Sequence, residues 1–380
     1  MLMSLTGKAF FMKIALLGTR GIPNRYGGFE AFYEKLSQYL VNDGHEVTVY
    51  CRHAFTRPED DTLVDSRIRR VILPSISAKH LDTPVHTFLS VLHVIFTRAD
   101  IVLMCNVANS PVAWIPRLFG KPVVLNVDGL DRQRKKWGPL ARIVLSICEF
   151  FSVFTPSKVV TDSLTMQGYY RSRYRKSSVM IGYGAEPPER LQTSPENSVL
   201  KRFGLEPKKY VLYVSRLEPE NNPELVIRAY EKTKIPWPLV MVGSNAYDPA
   251  YEQRLRSLAS ERVIFTGSIY GNGYWEFQLN AACFVFACEV GGIHPALVEA
   301  MSAGNPVLYL NIESNRETAA DCGVVFEHSE DDLAAKLQNL FHDPKLLADL
   351  ALKGAQRARE RYGWGEVTRQ YENLFEELFK

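Results

Sequence analysis

The chain lacks any long hydrophobic run. Nowhere in its 380 residues is there a stretch of about 18 uncharged apolar residues, the minimum for a membrane-spanning helix, so no transmembrane segment is expected. It also lacks paired cysteines. Its six (Cys51, Cys105, Cys148, Cys283, Cys288, Cys322) form no Cys-x-x-Cys, and most sit in apolar runs, where a free thiol behaves as a small hydrophobe. This points to a reducing, cytoplasmic compartment and leaves no disulfide framework or zinc site. The amino-terminal segment has no apolar stretch ending in a small-residue cleavage site, so no secretory signal is expected. Met12-Lys13-Ile14 reads as a natural start, with the first eleven residues as an extension. Charge of one sign is lacking too: 45 Lys and Arg stand against 42 Asp and Glu, a net +3, which argues against a general polyanion binder. No Asp-x-Asp occurs, and no motif supports nucleic-acid binding.

The composition itself is that of a globular protein, 46% hydrophobic and 23% charged. The length exceeds one comfortable core, so two domains are expected. The charge is unevenly divided between them. Residues 1–186 hold 24 Lys and Arg against 15 Asp and Glu, and residues 187–380 hold 21 against 27.

Strand-like runs at 13–18, 46–51, 70–73, 100–104, 122–127, 158–161 and 178–181 alternate with helical patterns. In 28–42, for example, Phe29, Phe32, Leu36, Tyr39 and Leu40 recur at helical spacing. The alternation breaks over 186–209, which is rich in Pro and charge. A second series follows, with strands at 210–215, 239–243, 263–266, 283–287, 306–310 and 323–326. Helices begin near Pro223, Pro249, Gly273, Pro295 and Asp331, and 344–380 is nearly all helical. Such alternation predicts parallel sheets covered on both faces. The expected α/β architecture is two facing doubly wound, Rossmann-like domains with a cleft between them. Ligands in such sheets bind beyond the carboxyl ends of the strands. The division is 12–186 for a first domain, 187–209 for a linker and 210–360 for a second domain. A final helix, 361–380, is expected to pack back on the first domain.

Three segments can carry chemistry. GTRGIPNRYGGFE (18–30) follows the first strand and opens a helix; Gly27 and Gly28 let backbone approach a ligand, and a helix N-terminus favours an anion. SRLEPENN (215–222) follows the first strand of the second series and places Arg216 where it can bond a diphosphate. CEVGGIHPALVEAM (288–301) is a strand end, a Gly-rich loop and a helix with Pro in its first turn. Its backbone amides at Gly291, Gly292 and Ile293 can hold phosphate, Glu299 can reach ribose hydroxyls, and Glu289 can bind sugar hydroxyls. Each alone reads as an ordinary surface or helix-start residue. Together, at strand ends of one domain, they favour a nucleoside-diphosphate site.

This combination resembles the retaining glycosyltransferases of family 4, with the GT-B fold, over essentially all of residues 12–380. KIALLGTRGIPNRYGGFE, NVDGLDRQRKKWG, SRLEPENN and CEVGGIHPALVEAM resemble more narrowly a bacterial branch containing rhamnosyltransferases of cell-surface polysaccharide assembly. The resemblance implies transfer from a nucleotide-sugar donor, with retention, to a saccharide or polyprenyl-diphosphate-linked acceptor. It makes Arg216 the diphosphate ligand and Glu299 the ribose ligand. The family's first Glu falls at Gly291 here, so Glu289 takes the donor-sugar role, and the family's Lys is replaced by Asn221 and Asn222. The family's His after the fifth strand is replaced in Asn126-Val127-Asp128-Gly129. That His is associated with the donor's 6-hydroxyl, so its loss is compatible with a 6-deoxy donor such as dTDP-rhamnose. Asp128 is the first candidate if a protein base is needed. No cofactor and no essential metal are expected. A GT-B epimerase and a non-catalytic nucleotide-sugar-binding subunit remain open alternatives.

Two basic stretches stand apart from these motifs. Arg132, Arg134, Lys135 and Lys136 precede an apolar helix at 140–154, and Arg171 and Arg173 lie in YYRSRYRK (169–176). Taken alone, the apolar helix reads as core packing. The two clusters together favour an acceptor or an anionic membrane surface on the inner face of the cytoplasmic membrane.

Overall fold

The computed structural model describes residues 11–25, 27–76, 81–133, 137–191, 196–245 and 248–380. They form two compact units. One comprises the described residues up to 133, 137–183 and 364–380, and the other spans 184–363.

The first unit is built on seven parallel strands. These are β1 (Lys13–Leu17), β2 (Glu46–Arg52), β3 (Arg69–Leu73), β4 (Ile101–Cys105), β5 (Val123–Val127), β6 (Lys158–Thr161) and β7 (Val179–Met180). Their order is β3-β2-β1-β4-β5-β6-β7, and each neighbouring pair is parallel. The helices are α1 (Gly28–Asn42), α2 (Asp82–Val94), α3 (Trp114–Leu118), α4 (Pro139–Phe151) and α5 (Leu164–Tyr174). Alternate residues of each strand feed opposite layers, as a strand's two-residue period requires. Ile14 and Leu16 join Phe32, Leu36 and Leu40 of α1. Ala15 and Leu17 join Val91 and Val94 of α2, with Met166 and Tyr170 of α5.

The second unit repeats the scheme with six parallel strands. These are β8 (Val211–Val214), β9 (Leu239–Val242), β10 (Val263–Gly267), β11 (Cys283–Phe286), β12 (Val307–Leu310) and β13 (Gly323–Phe326), in the order β10-β9-β8-β11-β12-β13. Its helices are α6 (Val199–Arg202), α7 (Pro223–Glu231), α8 (Pro249–Leu258), α9 (Gly271–Asn280), α10 (Pro295–Ser302), α11 (Glu313–Ala319), α12 (Glu330–His342) and α13 (Pro344–Tyr362). Val211 and Tyr213 face one core, and Tyr210 and Leu212 face the other. The stretch 187–209, expected to be a linker, supplies Val199, Leu200 and Leu205 to that second core. Val199 and Leu200 open α6 and Leu205 follows it, so this stretch packs instead of bridging.

The last helix, α14 (Trp364–Phe379), lies in the first unit. Trp364, Val367, Tyr371, Leu374 and Phe375 follow a helical stripe and are buried with α1. The Phe32 ring stacks on Trp364 at 6.2 Å and leans on Tyr371 at 5.6 Å. Asn126 at the end of β5 donates to the Tyr371 hydroxyl at 2.6 Å. All six cysteines are buried, and no disulfide joins them.

Candidate functional site

In both sheets the strand order reverses once, between β1 and β4 and between β8 and β11. Such a switch point opens a crevice at the carboxyl ends of the strands. In the second unit the loops after β8 and β11 are the two motif segments 215–222 and 288–294. Parallel pairing of β8 with β11 makes them neighbours.

The two loops are stitched together. The Glu289 amide donates to the Glu220 carbonyl at 3.0 Å. Asn222 adopts a left-handed backbone (φ 53°). Its amide group donates to the Ala287 carbonyl at 2.9 Å and more distantly to the Glu289 carboxylate at 3.5 Å, while its Oδ1 meets His328 at 3.1 Å. Asn221 donates to the Arg216 carbonyl at 2.7 Å. Both Asn residues, which stand where a Lys is expected, are buried and turned to holding the loop. That leaves Arg216 as the only cation of 215–222. Its side chain is 35% exposed and pairs with Glu218 at 3.3 Å. Its partner Glu218 is buried, 8% exposed, so the pair fixes the guanidinium at the end of β8, and its exposed edge can meet a phosphate.

The loop after β11 has a reason for its displaced carboxylate. Gly291 sits at φ +144°, and a Cβ there would stand 2.6 Å from the His294 ring. No Glu can occupy position 291 in this backbone, and the carboxylate stands two residues earlier at Glu289, half-buried. Gly292 and Ile293 are buried behind it. α10 starts at Pro295, which has no amide proton, and the Leu297 and Val298 amides donate to the His294 carbonyl at 3.1 and 3.3 Å, so the anion donors here are the amides of the Gly-rich loop and of Ala296. One turn in, Glu299 accepts a hydrogen bond from the Tyr274 hydroxyl of α9, which in turn accepts from Gln278 at 2.9 Å. Burial, and then the Glu299 charge, push the Tyr274 phenol well above its ordinary range, so it stays a donor. The spacing patterns missed Tyr274, Gln278 and the stitching role of Asn222, because no local signal marks contacts made 25 and 65 residues away. They also missed Glu220, fully buried with no side-chain hydrogen bond among the described residues.

In the first unit the loop after β1 is held from α1. Glu30 accepts from the Arg20 amide and Glu34 from the Asn24 amide, each at 3.0 Å. Arg25 is paired with buried Asp60. Gly27 caps α1 in an extended conformation, and a Cβ there would meet only Glu30, at 3.5 Å. The fold therefore does not require glycine at 27, and α1 begins at Gly28. Asp128 follows β5 directly, two strands from β1, and is half-buried. On the other side of β1, Arg52 at the end of β2 reaches Asp82 and Thr83 of α2. Buried His86, one turn further, has no hydrogen bond at either ring nitrogen among the described residues. Burial, with the Arg52 charge, pushes the His86 imidazole down to about 4.

Of the basic candidates, Arg132 is drawn onto buried Glu149 at 3.0 Å and the Tyr169 hydroxyl at 3.0 Å. Arg171 and Arg173 are exposed on α5. Arg134, Lys135 and Lys136 lie outside the described residues. Among the described residues no group of three His, Cys, Asp or Glu is placed to hold a metal ion, and no helix is long and apolar enough to cross a membrane. The expected core packing of 140–154 is overturned. Leu140, Ile143, Val144, Ile147, Phe150, Phe151 and Phe154 are exposed, because α4 turns only Cys148 and Glu149 inward.

Known proteins share this fold. The description "Glycosyl transferases group 1" matches residues 199–357, and a domain of unknown function (DUF1972) matches residues 11–186. The GDP-mannose-dependent alpha-(1-6)-phosphatidylinositol monomannoside mannosyltransferase of Mycolicibacterium smegmatis is 25% identical over 382 residues, covering 92% of this chain and 94% of that one. Sucrose-phosphate synthase from Thermosynechococcus elongatus has a TM-score of 0.79 at 19% identity, covering 97% of this chain and 99% of the other. Anabaena Alr3699/HepE in complex with UDP-glucose has a TM-score of 0.77 at 17% identity, covering 96% and 100%. The chain has the GT-B fold, and its residues 199–357 match the description of the glycosyl transferases group 1.

Proposed function

We propose that the chain is a nucleotide-sugar-dependent glycosyltransferase of the retaining, family 4 type. It moves a sugar from a nucleoside-diphosphate donor to a saccharide or lipid-linked saccharide acceptor in surface polysaccharide assembly, and it works in the cytoplasm. The observation that carries this reading is the stitched pair of loops after β8 and β11. They set Arg216, the half-buried Glu289 and the Gly-rich entry to α10 around one switch point.

In this reading Arg216 and the amides at Gly291, Gly292 and Ile293 take the diphosphate. Glu299, oriented by Tyr274, takes the ribose. Glu289 takes hydroxyls of the donor sugar. Negative charge builds on the leaving diphosphate in the transition state, and preorganised donors act there most strongly. The leaving phosphate accepts the acceptor's proton, so Asp128 is not required as a base and serves the acceptor. The Mycolicibacterium relative is named for a GDP-mannose donor and a phosphatidylinositol mannoside, which supports a lipid-linked acceptor here. Rhamnose as the sugar rests on the motif strings and on Asn126-Val127-Asp128-Gly129.

The test incubates purified protein with dTDP-, UDP- and GDP-sugars, with and without polyprenyl-diphosphate-linked saccharides. Release of nucleoside diphosphate only with acceptor supports transfer. Turnover of a donor without acceptor would support an epimerase. Tight binding of a donor with no turnover would support a non-catalytic subunit, the reading favoured by the inward-turned Asn221 and Asn222.

A further inference from the structure

We propose that the outer face of α2, α3 and α4 docks on an anionic lipid bilayer. This goes beyond the transfer reading, and it can be measured with no sugar present.

The apolar exposure is patterned. On α4 and the residues just after it, Leu140, Ile143, Ile147, Phe150 and Phe154 recur three or four apart and share one face. Leu140 is 76% and Phe154 62% exposed. On α2 and its end, Phe88, Leu92 and Phe96 repeat every four residues, and Phe96 is 85% exposed. Trp114, Leu118 and Phe119 of α3 and its cap are also exposed. All three helices pack against one 3-10 turn, Val107–Val112. Arg117 of α3 donates to the Phe154 and Thr155 carbonyls at 3.2 and 2.7 Å, which ties α3 to the end of α4. The stripes therefore belong to a single helical layer. Soluble monomers rarely expose a contiguous apolar patch beyond a few hundred Å².

Charge selects the occupant. Residues 84–176 carry thirteen Lys and Arg and five Asp and Glu. None of those five acids is exposed: Glu149 and Asp162 are buried, and Asp100, Asp128 and Asp131 are half-buried. Among the described residues six arginines of the same segment are exposed, including Arg117, Arg142, Arg171 and Arg173. An apolar helix face bordered by cations and free of exposed anions matches the interface of an anionic membrane. A second copy of the same surface would set these arginines against each other.

The test is co-sedimentation of the full chain with vesicles of phosphatidylcholine alone or mixed with phosphatidylglycerol, at low and high salt. The expected result is binding to the mixed vesicles that weakens as salt rises. The combined variant Ile143→Ser, Ile147→Ser and Phe150→Ser is expected to lower partitioning roughly tenfold or more. These side chains are exposed, so the variant is expected to keep its melting temperature and its nucleotide binding. Arg171→Gln with Arg173→Gln is expected to weaken binding at low salt only. Absence of binding to both vesicle types, or binding unchanged by the triple variant, would overturn the proposal. So would a triple variant that turns a dimer into a monomer by sedimentation velocity, which would identify the face as a contact between copies.

Discussion

Glu299 shows how a single side chain is prepared for a ligand. It sits one turn into α10 and is held by the Tyr274 hydroxyl, itself bonded to Gln278. Tyr274→Phe is expected to leave the fold intact and weaken donor binding modestly. Glu299→Ala is expected to lose most transfer while melting normally, as measured by turnover beside circular dichroism. His86 gives a pH effect with a definite sign. Its native imidazole is pushed down to about 4 by burial and then by Arg52, with Asp82 opposing, against about 6.5 when unfolded. Between those values the unfolded chain binds a proton that the native chain does not. Stability therefore falls as pH drops from about 6.5 to 4, by up to roughly 3 kcal/mol. His86→Gln should flatten that part of a denaturation-versus-pH curve. An unchanged slope would remove His86 from the account.

At the scale of elements, strands were the most legible. Runs such as KIALL and LVMV are short, apolar and bounded by turn residues, and all thirteen strands appear within two residues of their expected limits. The loops after β8 and β11 were legible for a related reason, since Gly, Pro and charged residues crowd where a strand must end. α4 was not, because periodicity shows that a helix has an apolar stripe but not whether another element covers it. The contacts of Tyr274 and Asn222 were hidden similarly, being made between neighbouring helices and loops by residues far apart in sequence. α14 displays the opposite case, an apolar stripe that is covered. Trp364→Ala removes a buried ring stacked on Phe32 and is expected to cost about 3–5 kcal/mol. Urea unfolding monitored separately for the two units should show the loss in the first unit alone.

At the scale of the molecule, a near-neutral total averages a basic first half and an acidic second half. The excess cations of the first half collect along 84–176, beside the exposed faces of α2, α3 and α4. The acidic half carries the proposed donor site, where diphosphate charge is met by Arg216 and backbone amides. Transfer is accordingly expected to persist in excess chelator, and its abolition by chelator with recovery on adding Mg²⁺ would contradict that assignment.

The most direct measurement compares acceptor-dependent release of nucleoside diphosphate by the wild-type chain and by Arg216→Ala. The prediction is release by the wild type only when a lipid-linked saccharide is present. Arg216→Ala should then fall by about two to three orders of magnitude with an unchanged melting temperature. Release that ignores the acceptor, or an Arg216→Ala variant as fast as the wild type, would contradict the account.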